Sequence, residues 1–231
     1  MFYGITTGIS VLVLIGLIVL AIVLDRNFFK RISTTTITLM AMLVALIVLL
    51  TNCIGNSGIL GARLMLGNFV LFLSGMLLGP VGGAVVGVLS WIIGLAFIQT
   101  YIHTSILAMY VLYAMLGSFV FLLKPKSRFQ FVYTTVVLLF IAMFLMTFIA
   151  FPIAQWSFTT KNIPFLAVVL FPKKFIVFPI DVVFEIVLVF ACFQTALILL
   201  KNSPNIESKI WALKKTEGQD LFRKKNPELQ Q

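Results

Sequence analysis

Two carboxylates inside an apolar run are the residues of this chain best suited to chemistry. Asp181 and Glu185 lie four residues apart within residues 175–200, so a helix places them on one face. At ~1.5 Å rise per residue, Asp181 falls roughly 10 Å below the N-terminal end of that helix, with Glu185 deeper. An acidic group inside an apolar span is costly unless it is paired, protonated or facing water. Ligand hydrogen bonding and proton coupling are therefore the chemistries it suggests. A buried partnership with Lys173, Lys174 or Arg63 that fixes helix packing is the structural alternative. Pro179, just ahead of the pair, is expected to distort the helix and free a carbonyl.

Other polar groups stand near the ends of apolar runs. Arg63 and Asn68 could read a carboxylate or a heterocycle edge, and Lys174 joins them as a candidate contact. Tyr101, His103, Tyr110, Tyr113 and Trp156 could stack on or hydrogen-bond to a flat ligand, or serve as an interfacial belt. His103 is the single histidine and has no Cys, Asp or Glu at ligand spacing, so no metal site is read. The chain lacks G-x-x-x-x-G-K-[ST], H-E-x-x-H and G-x-S-x-G, which disfavours ATP binding through a P-loop and ordinary enzymatic chemistry. Cys53 and Cys192 fall at different depths and are not expected to pair.

The elements that must position these groups are set by composition. Of 231 residues, 61% are hydrophobic and 10% charged, and the mean hydropathy is +1.13. That much apolar surface implies an all-α integral membrane protein in a lipid bilayer. Seven runs qualify as spans: residues 5–24, 32–50, 64–78, 81–98, 106–123, 131–151 and 175–200. The third is short and must tilt, thin the bilayer or begin in buried non-helical backbone. Residues 163–171 are too short to span and read as a cap or re-entrant segment. The stretches 51–62 and 152–172 read as long outer loops suited to be lids.

Alternating seven spans from an outside N-terminus puts 13 of the 17 Lys and Arg residues on the cytoplasmic side, as the positive-inside rule requires. The net charge of +10 then reflects topology and attraction to anionic lipid rather than nucleic acid. The expected location is the plasma membrane, with a charged cytoplasmic tail over residues 202–231.

Small residues are patterned as well. Ala41 and Ala45 form a small-xxx-small pair, and Gly79, Gly83 and Gly87 recur at helical spacing, both suited to close helix approach. Pro80 fits the first turn of a helix after Gly79. Ala41/Ala45, the block Arg63…Gly79-Pro80…Gly83…Gly87, and Pro172-Lys173-Lys174 leading into Phe178-Pro179-Ile180 together resemble an S component. S components are the substrate-binding membrane subunits of energy-coupling factor vitamin transporters.

The resemblance covers residues 32–201 and implies a six-helix substrate-binding bundle, here with one extra N-terminal transmembrane helix and link over residues 1–31. It further implies outward capture of a small vitamin, closest to the folate-type and related heterocyclic members. No covalent cofactor is implied, and ATP would act only through two partner ATPase subunits. A transmembrane coupling subunit would dock on Ala41 and Ala45, with Gly79, Gly83 and Gly87 as further docking positions. The chain departs from the family at Ser90-Trp91, where many members carry an acidic residue. A stand-alone secondary transporter or channel using Asp181 and Glu185 as proton or cation sites is the alternative.

The charge asymmetry makes a direct prediction. A topology reporter fused ahead of Met1 is expected to signal from outside the cell, and a cytoplasmic signal would overturn the seven-span arrangement.

Overall fold

The structure is a computed structural model that describes residues 2–51, 67–97, 103–158, 164–170, 172–201 and 210–216. Every regular element among them is a helix: α1 (Phe2–Leu24), α2 (Phe28–Arg31), α3 (Thr34–Leu49), α4 (Asn68–Leu95), α5 (Thr104–Leu122), α6 (Arg128–Leu145), a π-helical turn (Met146–Ala150), α7 (Phe151–Phe158), α8 (Phe165–Val169), α9 (Pro172–Lys201) and α10 (Trp211–Thr216). Five helical segments are long and apolar enough to cross a membrane, and Thr34–Leu49 is a shorter apolar helix. This architecture fits a multi-pass membrane protein.

Side chains set several helix starts. Ser33 and Ser127 accept hydrogen bonds from the backbone N–H of Thr36 and Gln130, and His103 accepts from that of Ser105. Each satisfies a donor that the first helical turn leaves open. At its other end α5 is followed by Lys124 in the left-handed region, φ 48°, ahead of Pro125, which cannot continue a helix.

The runs 64–78 and 81–98 meet at a sharp reversal inside α4. Gly79 has φ 83° and ψ −176°, a conformation essentially restricted to glycine. Beyond it the chain folds back on itself. A Cβ on Gly83 would lie 2.9 Å from the Cα of Gly75, whereas an unbroken helix would hold those residues ~12 Å apart. Pro80 opens the returning half, where a missing N–H costs nothing. The first half, residues 68–78, covers only ~16 Å, about half the hydrocarbon thickness. All of its residues are buried, so its shortness is accommodated by burial in protein.

Backbone meets backbone around this hairpin. A methyl on Gly75 would collide with the carbonyl of Ala114, and one on Gly117 with the carbonyl of Phe72. A Cβ on Gly87 would lie 3.0 Å from the carbonyl oxygen of Tyr110. Gly83 faces Gly75 and Ala114, and Gly79 lies against the Trp211 ring of α10. The expected role of Gly79, Gly83 and Gly87 in docking a partner is therefore corrected. All three are buried and serve packing within the chain, because the reversal at Gly79 turns their face inward.

Helix α1 packs on α4, α5 and α7. Ala21 and the neighbouring Phe28 join Val81, Ala84, Val111 and Met115 in one apolar cluster. Helix α6 passes through the π turn into α7, which carries Pro152 at its second position. A proline has no N–H for the preceding turn, and a π turn is one way a helix absorbs that loss. Much of the stretch 152–172, expected as loop, is thus helical in α7 and α8. Helix α9 is continuous through Pro179.

These contacts predict an asymmetry among glycine variants. Gly75→Ala should cost about 1–3 kcal/mol or more by overpacking, seen as a lower unfolding midpoint in detergent. Gly16→Ala, with nothing within 4 Å, should leave the midpoint unchanged. Equal midpoints would rule out the backbone contact between α4 and α5.

Candidate functional site

Three helices bring one buried polar side chain each to a common point. Asn68 is the first residue of α4, Tyr113 lies mid-way along α5, and Glu185 lies on α9. Their relative exposures are 5%, 0% and 2%. The Tyr113 hydroxyl donates a 2.7 Å hydrogen bond to Glu185 Oε2. The Asn68 side chain lies close enough to act on the same carboxylate. Even so, Asn68 Nδ2 and Glu185 Oε1 make no well-formed hydrogen bond.

Local packing fixes this geometry. The Phe72 ring stands edge-on to Tyr113, with centroids 6.4 Å apart and planes at 84°, which holds the phenol toward α9. Gly67, ahead of Asn68, supplies no capping side chain to α4. Asp181, one turn away on the same helical face and half-buried, acts on both Glu185 and Tyr113 through its charge.

The remaining candidates are distributed elsewhere. Arg63 and Tyr101 lie outside the described residues. Lys174 Nζ donates to the carbonyl of Val168 at 2.9 Å, tying α9 to α8. The Trp156 ring stands edge-on to Phe165, with centroids 5.6 Å apart. Among the described residues no group of three His, Cys, Asp or Glu could hold a metal ion.

His103 belongs to a separate network at one end of the bundle. Its Nδ1 accepts from the Ser105 backbone N–H at 3.1 Å, which places the ring proton on Nε2. That nitrogen lies 3.2 Å from Thr6 Oγ1 and 3.5 Å from Thr7 Oγ1. Thr6 Oγ1 is also 3.0 Å from Ser157 Oγ, which itself donates to the Ile153 carbonyl. Ser105 Oγ lies 2.7 Å from His103 Nδ1 and 3.3 Å from the carbonyl oxygen of Ala150, in the π turn. The rings of Tyr3 and Phe158 flank the imidazole. His103 thus joins α1, α5 and α7, apart from Glu185.

Among the sequence candidates, the structure brings Asn68, Tyr113 and Glu185 together, with Tyr113 as the direct partner of Glu185 and Asp181 one turn away. Thr6, Thr7, Ser105 and Ser157 were not singled out from the sequence. Their one visible signal is a hydroxyl near the end of an apolar run, which many membrane helices carry. Comparison with protein-family models, with curated proteins and with solved structures finds no match to this chain.

The His103 network predicts a pH effect. Burial lowers the His103 pKa from its ordinary 6.5, so the folded chain binds this proton less readily than the unfolded one. Its stabilising contribution is complete above pH 6.5 and is lost as the pH falls through the folded pKa. Hydrogen exchange over residues 3–10 should rise on acidification below pH 6.5, and His103→Gln should abolish that dependence. Exchange that ignores pH in the unaltered chain would exclude the histidine latch.

Proposed function

We propose that this chain is the substrate-binding membrane subunit of a small-molecule importer, built on the pattern of an energy-coupling factor S component. The observation that carries the reading is the incompletely satisfied cluster of Asn68, Tyr113 and Glu185. Buried polar groups in proteins are nearly always hydrogen-bonded, and polar groups inside a membrane span are a mark of function. A ligand that supplied the missing partners would bind in a low-dielectric site, where each hydrogen bond is strong. The proposed ligand is a small vitamin of the folate or related heterocyclic type, captured from outside the plasma membrane.

Helix α3 supports the assembly side of this reading. It buries Thr36, Leu43, Val44 and Ile47 against the bundle and packs mainly on α4. Ala41, Met42, Ala45 and Leu46 remain exposed on its other side. Two alanines on an open face let a partner backbone approach closely, which suits docking of a coupling subunit. ATP hydrolysis then belongs to partner ATPase subunits, consistent with the lack of a P-loop sequence.

One observation favours a second reading, a secondary transporter or channel. Asp181 and Glu185 share a helical face, and Glu185 Oε1 is buried without a well-formed hydrogen bond, so that a proton or cation could occupy it. Uptake measurements separate the two readings. Ala41→Trp or Ala45→Trp should abolish cellular uptake while leaving ligand affinity in detergent unchanged, and normal uptake would remove the docking assignment. Gradient-driven accumulation by the purified chain alone in vesicles would establish the secondary transporter instead.

A further inference from the structure

Cations from two distant parts of the sequence meet at one end of the bundle. At the opposite end, Thr6 Oγ1 lies 3.2 Å from His103 Nε2, and the Thr104 hydroxyl donates to the Thr7 carbonyl. From that contact α1 and α5 run side by side in the same direction, and Leu24 and Phe119 pack on one apolar cluster. Equal counts of residues give equal lengths of helix, so Leu24 comes level with Phe121. The chain therefore leaves both helices at the same depth. Arg26 and Lys30 follow α1, while Lys124, Lys126 and Arg128 follow α5 or open α6.

All five of these cations are exposed. Residues 26–32 and 123–130 contain no Asp or Glu, and the neighbouring Asp25 is buried. The turn between α5 and α6 holds its charges on a defined backbone. Lys124 takes a positive φ, the Lys126 N–H donates to Gln130 Oε1 at 2.8 Å, and Ser127 caps α6. Large apolar side chains stand among the cations, with Phe29 67%, Leu123 62% and Phe129 80% exposed. Exposed rings beside exposed cations suit the boundary between acyl chains and headgroups.

We propose that this two-part rim binds an anionic phospholipid, with the cations of both loops on its headgroup and Phe29, Leu123 and Phe129 against its acyl chains. The positive-inside rule asks only that such charges stay on one side of the membrane. It does not ask two loops remote in sequence to meet. The packing of α1 on α5 brings them together, which gives the N-terminal helix a binding function of its own. This inference stands apart from the binding-subunit reading.

Other partners fit less well. A soluble phosphate or an acidic peptide would meet the cations but leave the three apolar side chains uncovered. A zwitterionic phospholipid would cover them, yet its ammonium group offsets the phosphate charge that the cations attract. An anionic phospholipid satisfies both halves of the rim, and the cytoplasmic leaflet supplies it.

Native mass spectrometry of the full chain in a neutral detergent tests this, with phosphatidylglycerol and phosphatidylcholine of identical acyl chains as probes. The expected result is retention of phosphatidylglycerol at concentrations roughly tenfold lower. Arg26→Gln combined with Lys124→Gln should remove most of that preference. Lys214→Gln combined with Lys215→Gln makes the same change in net charge on α10, which packs on α4 and α9, and should leave the preference intact. Glycerol 1-phosphate, the headgroup chemistry without acyl chains, should not displace phosphatidylglycerol at equal concentration.

The comparison of the two lipids on the unaltered chain needs no variant to fold. Equal retention of both overturns the inference. A preference that survives Arg26→Gln with Lys124→Gln overturns it as well. So does an equal loss in the two double variants, which would reduce the effect to net charge. Displacement by glycerol 1-phosphate would replace the lipid site with one for a soluble anion.

Discussion

Between α4 and α5 there is no space for a side chain at Gly75 or Gly117, because the carbonyls of Ala114 and Phe72 occupy the positions a methyl would need. Lipid gives helices little hydrophobic reason to associate, so close dispersion contacts and hydrogen bonds must hold them. Glycine permits that closeness, and it does so on both halves of the α4 hairpin. The reversal at Gly79 makes the arrangement feasible. It lets Gly83 meet Gly75 across the hairpin while Gly87 reaches Tyr110 of α5. Trp211 of α10 lies against the turn itself. The rest of the molecule is placed relative to this contact.

The polar cluster depends on the same contact. With α4 and α5 locked together, Asn68 and Tyr113 come to one point, and α9 needs only to present Glu185 there. One face of α9 points away from the bundle, with Ile180, Val183, Phe184 and Val187 exposed, as lipid-facing residues are. Its inward face carries Glu185 against Tyr113 and, further along, Val189, Phe193 and Leu197 in the core. Phe193 packs against Phe121 and Phe131, which anchors the helix independently of the carboxylate. The cluster can therefore keep unspent hydrogen-bonding capacity while aromatic packing holds α9 in place.

Helix α1 is held at two levels by different physics. Near Ala21 and Phe28 it packs on α4 and α5 through apolar contacts. Near Thr6 it is held by hydroxyl and imidazole groups of α5 and α7. The π turn takes part as well, since Ser105 binds the Ala150 carbonyl. A stretch that reads as an added N-terminal span is thereby built into the bundle.

The sequence by itself determined the class of protein, the positions of most helices and the break at Gly79-Pro80. Those features follow from local properties: apolar run length, glycine's freedom at positive φ, and proline's missing donor. It also placed Asp181 and Glu185 on one face, because a four-residue step is a fixed rotation. Only the tertiary structure decided what the two halves of that reversal pack against, and this turned three glycines expected to meet a partner into internal packing. It alone paired Tyr113 with Glu185, 72 residues apart, and Thr6 with His103, 97 residues apart. Periodicity states which residues share a helical face. Which faces meet depends on where distant backbones can approach, and that is settled by packing over the whole chain.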